Sequence, residues 1–418
     1  MTELEYDVLV IGGGAAGMAA AMEVHRRGFT PVIVEREGRL GGILLQCIHN
    51  GFGLQEFKKE FTGPEYAEEF IDQVHEAGID VFLSTTVIEL TDNGDHKEAA
   101  CFSSLNGVVR ITARAVILAM GCRERNRGNI RIPGTRPAGV YTAGLAQRLV
   151  NIEGYIPGKD VVVIGSGDIG LIMARRMTWV GAKVHAVVEI QPYPSGLTRN
   201  IVQCLNDFQI PLYLSHVVSE IHGTDRVEGV QVTPLENGIP DTDQSFEVAC
   251  DTVLLSVGLI PENELSKSAG VELNAQTGGP LVDSTMMTSV TGIFSCGNVL
   301  HVHDLVDYVS EESRRTGGHA ADYLLQKRPK RQVQIRAGAN IKYVNPAQFD
   351  PAAPEKLYMR SLVVKNNAKV NISIDNVPVR SIKKNHVQPS EMISVKLREK
   401  DLEKVRFTAN SVMEVSVQ

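Results

Sequence analysis

Two glycine-rich loops, each set between a short apolar run and a helix-like segment, constrain the fold more than any other feature of this sequence. The first loop is Gly12-Gly-Gly-Ala-Ala-Gly17, and the second is Gly165-Ser-Gly-Asp-Ile-Gly170. Each has an apolar strand before it and a helix and a second strand after it. One such loop is weak evidence. Two in the same context predict an α/β chain with two Rossmann-like dinucleotide-binding domains.

The residues of each loop have distinct physical roles. The first glycine permits a tight turn, the second lets the backbone approach a pyrophosphate, and the third lets the helix pack closely on the strand. The helix N-terminus then offers free N–H groups to that pyrophosphate. Glu35 and Glu189 end the strands that follow the two loops, where a carboxylate accepts the hydroxyls of an adenosine ribose. A carboxylate repels a 2′-phosphate, and no Arg or Lys follows Glu189 before Arg199, so we expect NADH rather than NADPH.

Composition excludes several other classes of protein. Lys and Arg number 42 against 49 Asp and Glu, a net charge of -7, so nucleic acid is not an expected partner. The six cysteines include no C-x-x-C pair, which argues against a disulfide framework and a zinc cluster. No signal peptide and no apolar run of about 18 residues is visible, so no integral membrane segment is expected. We expect a cytoplasmic protein with reduced thiols.

Further glycines extend the pattern. Gly41-Gly42, Ala119-Met-Gly121, Ser256-Val-Gly258 and Gly297-Asn298 accompany the two loops. Together these residues resemble the two-dinucleotide-domain flavoprotein oxidoreductases of the pyridine nucleotide-disulfide oxidoreductase superfamily, to which thioredoxin reductase belongs. The resemblance covers roughly residues 5–327. It implies an enzyme with FAD on the first loop and NAD on the second.

The resemblance also implies cofactor-binding residues and a domain order. The cofactor-binding residues it implies are Gly12, Gly14, Ala15, Ala16, Gly17, Glu35, Arg36, Gly41, Gly42, Val87, Ala119, Gly121, Gly297 and Asn298 for FAD, and Gly165, Gly167, Asp168, Ile169, Gly170, Glu189 and Gly258 for NAD. The FAD domain is expected over 1–137 and 263–330, with the NAD domain inserted at 138–262. Alternating runs over 331–418 predict a small β-rich domain, which could hold a homo-oligomer or a partner subunit.

A closer resemblance rests on three stretches. Residues 41–53, 121–126 and 139–147 are similar to a bacterial subgroup that includes subunits of opine oxidase and cyanide synthase, and proteins found beside a glycerol-3-phosphate-dehydrogenase-like flavoprotein. This likeness implies an NADH-linked subunit that passes electrons to a partner flavoprotein or to a small cysteine-containing redox protein. The alternatives are a dehydrogenase subunit for a small amine or amino acid, and a non-enzymatic NAD-responsive redox sensor.

The redox-active cysteine pair of the disulfide reductases is missing. The thioredoxin reductase pair would fall near Tyr141-Thr-Ala-Gly144, and the glutathione reductase pair near Leu44 and His49. Cys47 lies alone between those last two positions. A single cysteine can act through sulfenic acid or a mixed disulfide, which would make the protein a thiol or peroxide reductase. The alternative is a small buried side chain beside the flavin.

Three histidines complete the candidate catalytic set. His301 and His303 follow the last glycine, where the resemblance implies the flavin, and either could stabilise negative charge or relay a proton. His49 is a further candidate. The pattern His301-Val-His303-Asp304 also permits a metal site, but no third ligand is evident, so we expect no metal. A packed histidine, with Asp304 capping the next helix, is the remaining interpretation.

Overall fold

The computed structural model describes residues 2–327, 332–354 and 356–418. Residues 328–331 of the predicted basic linker Lys327–Arg331 lie outside the described residues. Contacts divide the chain into two compact units, Met1–Cys122 with Pro261–Gln418, and Arg123–Ile260. Among the described residues, no helix combines the length and apolar character needed to cross a membrane.

The first unit opens with a sheet and two helices. Its strands are β1 (Thr2–Ile11), β2 (Pro31–Val34), β3 (Asn50–Phe52), β4 (Phe61–Thr62), β5 (Asp80–Phe82), β6 (Thr85–Asp92), β7 (Lys97–Ser103) and β8 (Gly107–Leu118), with β9 (Cys122–Glu124) at its end. Its helices are α1 (Ala15–Arg26) and α2 (Gly63–Glu76). The helix α2 begins with a capping box, in which Thr62 accepts from the backbone of Glu65 while the Glu65 carboxylate accepts from the backbone of Thr62.

The second unit also combines strands and helices in alternation. Its elements are α3 (Arg127–Ile130), β10 (Val140–Thr142), α4 (Ala143–Asn151), β11 (Asp160–Ile164), α5 (Asp168–Trp179), β12 (Lys183–Glu189), α6 (Thr198–Cys204), β13 (Leu212–Leu214), β14 (His216–Gly223), β15 (Val227–Glu236), β16 (Ile239–Pro240), β17 (Phe246–Ala249), β18 (Thr252–Leu255) and β19 (Leu259–Pro261).

The chain then completes the first unit. The remaining elements are α7 (Glu264–Ser268), β20 (Ile293–Ser295), α8 (Val306–Leu324), β21 (Val333–Ala337), β22 (Ile341–Asn345), β23 (Gln348–Phe349), β24 (Lys356–Ser361), β25 (Lys365–Ile374), β26 (Val377–Val387), β27 (Met392–Lys396), α9 (Glu399–Leu402) and β28 (Val412–Val417).

Parallel strands form the centre of each nucleotide-binding sheet. In the first unit the order is β5-β2-β1-β8-β7-β6, with β20 also paired to β8, and the pairs among β5, β2, β1, β8 and β20 are parallel. In the second unit the order β10-β18-β11-β12-β13 is parallel throughout. Parallel strands covered on both faces need continuous apolar runs, which explains the fully buried stretches 8–11 and 161–164. The predicted α/β class with Rossmann-like sheets is confirmed.

The compact unit Arg123–Ile260 includes residues 123–137, which precede residue 138, where motif spacing places the start of the NAD domain. The residues just after Arg123 make their hydrogen bonds within this unit, since the backbone N–H of Arg125 donates to Gly258 O and that of Thr135 donates to Ile221 O. The boundaries at 138 and 262, which were placed from motif spacing, stay predictions.

The C-terminal segment is β-rich, as expected. Its strands form one sheet in the order β23-β21-β28-β25-β26 and a second in the order β22-β24-β27. Apolar side chains from both sheets share one core, which includes Met359 and Ile393 from the smaller sheet and Ile372 and Val415 from the larger one. The segment therefore has its own core, although its contacts group it with the first unit.

A buried ion pair fixes this domain to the loop before α8. The Arg360 guanidinium on β24 pairs with Asp304 and also donates to the backbone oxygen of Val302 at 3.0 Å. The other carboxylate oxygen of Asp304 accepts from the backbone N–H of Met392. Both charged side chains are largely buried, at 12% and 19% exposure. Removing one partner of such a pair leaves an uncompensated buried charge.

We expect Arg360→Met to lower the free energy of unfolding by about 3 kcal/mol, because Asp304 loses its counter-charge in a largely buried position. Chemical denaturation of the full chain measures the loss. Arg336→Met is the matched control, since Arg336 is exposed, and it should change stability by less than about 0.5 kcal/mol. An equal, small effect of both substitutions would show that the ion pair does not hold the domain in place.

Candidate functional site

The first glycine loop is shaped by close backbone contacts. Gly12 has a φ of +110°, and a Cβ there would lie 2.5 Å from the backbone oxygen of Ala119. A Cβ on Gly17 would lie 1.8 Å from the backbone oxygen of Gly12, so only glycine lets α1 approach β1 this closely. A Cβ on Gly14 would meet nothing within 4 Å. The loop therefore leaves open space at the helix N-terminus, where a pyrophosphate would bind.

Glu35 lies beside this loop at the end of β2. The side chain is 7% exposed, and its carboxylate accepts from the backbone N–H groups of Gly13 at 2.6 Å and Glu37 at 2.8 Å. A cavity of about 440 Å³ adjoins it. The residues that line this cavity include Gly12, Glu35, Arg36, Val87, Met120 and Glu262. Four predicted FAD residues thus share one cavity that ends at the acid.

The other predicted FAD glycines also lie around the first loop. The Gly41 N–H donates to Gly13 O at 2.9 Å, and a Cβ on Gly42 would lie 3.2 Å from the Cα of Gly14. A Cβ on Gly297 would lie 2.8 Å from the Cβ of Ala16, in the first turn of α1. The structure therefore brings the early glycine pair, the loop and the late glycine together.

The second loop repeats this design within the second unit. Gly165 has a φ of +93°, and a Cβ there would lie 2.1 Å from the backbone oxygen of Ser256. Gly12 makes the equivalent close approach to the backbone oxygen of Ala119. A Cβ on Gly170 would lie 2.7 Å from Gly165 O. Glu189 is 4% exposed and accepts from the backbone N–H of Ser166 at 2.9 Å.

The remaining predicted NAD residues lie at the start of α5 or just after β18. Gly167 is the N-cap of α5, and Asp168 and Ile169 form its first turn. Gly258 follows β18, the strand that pairs with β11.

Cys47 is partly buried, directly after the 3-10 turn Gly42–Gln46. Its Sγ donates to the backbone oxygen of Ile43 at 3.3 Å, and burial raises its pKa to about 12. The thiolate is the reactive form of cysteine, and such a pKa leaves the thiol protonated at neutral pH. His49 lies two residues on, with its ring against Phe52 and Nδ1 3.0 Å from Asn50 O.

His301 and His303 form a buried cluster with Glu312 of α8. Nε2 of His301 lies 2.8 Å from one carboxylate oxygen of Glu312, and Nε2 of His303 lies 3.2 Å from the other. The N–H of Gly297 donates to the same carboxylate at 2.9 Å. The histidine side chains have 1% and 0% exposure. Because no surface of either ring is accessible, this arrangement favours a role in positioning the Gly297 turn over direct contact with a substrate.

Sequence reasoning missed Glu312, although a signal for it exists. The buried positions of α8 follow helical spacing, with Val309, Ser313, Thr316 and Ala320 on the inward side. Glu312 falls on that same face. An acid on the buried face of a helix needs partners, and two histidines at the preceding turn can supply them.

The cluster could in principle hold a metal, because its three ligand atoms lie within 4.8 Å of one another. One feature favours hydrogen bonds instead. A histidine that binds metal through Nε2 donates its Nδ1–H to an acceptor, but Nδ1 of His303 is buried with no hydrogen-bond partner in the described structure. The Nδ1 of His301 faces the hydroxyl of Tyr343 at 3.5 Å. The distances therefore fit two imidazole rings that donate from Nε2 to the Glu312 carboxylate.

The pKa shifts of His301 and Glu312 follow from their surroundings. Burial and the neighbouring His303 lower the pKa of His301 to about 4. Burial alone would raise the pKa of Glu312, but its two imidazole neighbours outweigh burial and lower it. The C-terminal domain seals the cluster, with the Tyr343 ring against His301 and the Tyr358 ring against both histidines.

This cluster should make the fold acid-sensitive. An unfolded histidine, with a pKa near 6.5, binds a proton as the pH falls from 7 to 5, whereas folded His301 does not until about pH 4. The stability that the neutral ring contributes is therefore present above about pH 6.5 and lost as the pH falls toward 4. We expect this one group to cost the wild type ~2 kcal/mol of unfolding free energy between pH 7 and pH 5.

His301→Gln is the variant that tests this expectation, since an amide N–H can still donate to Glu312 but does not titrate. Its unfolding free energy, measured by denaturant titration at both pH values, should fall by about 2 kcal/mol less than that of the wild type. Equal losses in the two proteins would contradict the assignment.

Comparisons with known proteins identify similar sequences and a similar fold. A family model described as pyridine nucleotide-disulphide oxidoreductase matches residues 6–321. The thioredoxin reductase of Treponema pallidum is 27% identical over 301 residues, 71% of this chain and 90% of that protein. An opine oxidase subunit of Rhizobium meliloti is 27% identical over 325 residues, 70% of this chain and 58% of that protein.

A solved structure shows the same fold. The crystal structure of T. acidophilum thioredoxin reductase aligns with a TM-score of 0.64 at 24% identity and covers 77% of this chain and 99% of that chain. The present chain spans only about three fifths of the length of several curated relatives, including the opine oxidase subunits of two organisms.

The predicted cofactors fit the residues present. Gly14 leaves room for a pyrophosphate, and Glu35 and Gly12 line the same cavity. The same loop geometry recurs at Gly165 and Gly170. Given these two cradles and a family match over most of its length, the chain belongs to the pyridine nucleotide-disulphide oxidoreductase family, whose members bind FAD and NAD(P)H.

Proposed function

We propose that this protein is an FAD-dependent NADH oxidoreductase that passes electrons to a second acceptor. The observation that carries the proposal is the presence of two complete dinucleotide cradles in one chain, at Gly12–Gly17 and Gly165–Gly170. Bound FAD supplies the redox chemistry, because its ring accepts a hydride from NADH and releases the electrons to another acceptor.

The protein's own residues then do mainly positional work. The loop glycines let each helix N-terminus approach a pyrophosphate, and each acid orients a ribose. Glu312 holds the Gly297 turn by accepting its N–H. Hydride transfer needs the two rings stacked and water excluded, but no strong acid or base. This agrees with a site whose most evident features are binding loops.

The acceptor we propose is a partner flavoprotein or a small redox protein, as in a glycerol-3-phosphate-dehydrogenase-type complex. A relative named as one subunit of opine oxidase supports work in a complex. The environment of Cys47 does not favour a thiol relay, because its raised pKa keeps the thiol protonated. The same relative's name makes direct oxidation of a small amine or amino acid the second candidate.

Two matched glycine variants separate the two cradles. Gly14→Ala should fold, because its Cβ has open space, but should reduce FAD content at least tenfold by occupying the pyrophosphate position. Gly167→Ala should keep its FAD and weaken NADH binding to a similar degree. Flavin absorbance per protein and NADH titration are the two measurements.

Each variant is the control of the other. If Gly14→Ala retained full FAD, or if Gly167→Ala lost FAD and kept NADH, the assignment of cofactors to loops would be wrong. Thermal unfolding of both proteins would exclude a general loss of structure.

We expect NADH to reduce the flavin at least tenfold faster than NADPH. Glu189 is an acidic residue where a 2′-phosphate would lie, and Arg199 is the first basic residue after it. Anaerobic mixing, followed by flavin absorbance, measures both rates. Equal rates would refute the NADH preference. No reduction by either nucleotide would refute the proposed function and make amine substrates the next to test.

A further inference from the structure

The two acids that receive the riboses differ in how many hydrogen bonds they already accept from the protein. Glu35 accepts two, both from backbone N–H groups, those of Gly13 and Glu37. Glu189 accepts four. Its donors are Ser166 N at 2.9 Å, Ser166 Oγ at 2.6 Å, Ser195 Oγ at 3.1 Å and Gln191 N at 2.9 Å.

This difference matters because a carboxylate has about four acceptor positions. Glu35 therefore has room for both hydroxyls of a ribose. At Glu189 three donors share Oε2, namely Ser166 N, Ser166 Oγ and Ser195 Oγ, while Gln191 N bonds to Oε1. Oε1 therefore has room for one ribose hydroxyl, but Oε2 has none until a donor leaves. The two serine hydroxyls are the donors that can rotate away.

The difference originates in the sequence of each loop. Gly13 and Ser166 occupy the same position, directly after the first glycine. A Cβ on Gly13 would lie 3.1 Å from the Glu35 carboxylate, so the first loop supplies no hydroxyl there. In the second loop the Ser166 hydroxyl bonds to Glu189 and also accepts from the backbone N–H of Ser195 at 2.8 Å.

Ser195 is held in place by its own segment. The backbone N–H of Leu197 and the amide of Asn200 both donate to Asp168 in the first turn of α5, at 2.8 and 2.7 Å. A Cβ on Gly196 would lie 2.9 Å from Ser166 O, so the segment packs directly on the glycine loop. These contacts therefore hold Ser195 beside Glu189 in the nucleotide cradle.

We propose that the hydroxyls of Ser195 and Ser166 compete with the adenosine ribose hydroxyls of the nicotinamide nucleotide for Glu189, and so keep that nucleotide exchangeable while FAD stays bound. The inference rests on the proposed function. A ribose hydroxyl that binds Oε2 of Glu189 must replace a serine hydroxyl, so the net gain from that hydrogen bond is small. At Glu35 the ribose adds hydrogen bonds without replacing any.

The competing explanation is that the serines only hold the segment 190–197 in shape. The two explanations predict opposite signs for the same substitution. If the serines compete, removing a hydroxyl tightens nucleotide binding. If they only support the loop, removing a hydroxyl loosens the cradle and weakens binding.

The test uses the full chain loaded with FAD, and ADP as the probe of the ribose site in calorimetry. Ser195→Ala is the cleanest variant, since it removes one donor and leaves the Ser166 contacts. We expect ADP to bind roughly tenfold more tightly, the effect of one hydrogen bond to a charged group. The double variant S166G/S195A, which gives the second loop the Gly13 pattern, should bind ADP more tightly still.

Two controls isolate the cause. ADP that lacks both ribose hydroxyls, 2′,3′-dideoxy-ADP, should show no gain with either variant. Ser219→Ala removes a hydroxyl of the same unit that bonds to Thr233 at 2.7 Å, away from the loop, and should leave ADP affinity unchanged.

Unchanged or weaker ADP binding by Ser195→Ala would overturn the inference, as would an equal gain with the dideoxy nucleotide. If NADH still reduces the wild-type flavin in that case, the proposed function stands and only the competition is refuted. If the wild type binds no ADP and NADH leaves the flavin oxidised, both proposals are refuted.

Discussion

The rest of each nucleotide cradle depends on the contact between the first and last glycine of its loop. A Cβ on Gly17 or on Gly170 would collide with the backbone oxygen of Gly12 or Gly165. Because glycine has no Cβ, both close approaches are possible, and each helix begins directly after its central strand. That placement aims the free N–H groups of the helix at the edge of the sheet, beside the acid of the next strand.

A second constraint, in the first unit, ties the C-terminal domain to the last glycine turn. Glu312 accepts from Gly297 and from two histidines, and tyrosines of the C-terminal domain cover those rings. The Arg360–Asp304 pair closes the same region. A domain with its own core is thereby joined to a turn that packs on the first helix.

The two cradles share a backbone design and differ in side chains. Their glycine contacts are nearly equivalent, but Ser166 stands where the first loop has Gly13, and only the second acid is surrounded by hydroxyls. Motif spacing identified both loops, because glycine requirements are local. Motif spacing could not predict the number of hydrogen-bond donors on each acid. Ser195 lies next to Glu189 only because the segment that carries Ser195 folds back onto the loop.

The sequence by itself determined the α/β class, both nucleotide loops and their acids, since these depend on the order of apolar runs and glycines along the chain. It also predicted the β-rich C-terminal segment from alternation. Only the tertiary structure decided the environment of Cys47 and the partnership of His301 and His303 with Glu312. Burial and long-range hydrogen bonds set those properties, and they arise from residues that packing brings together.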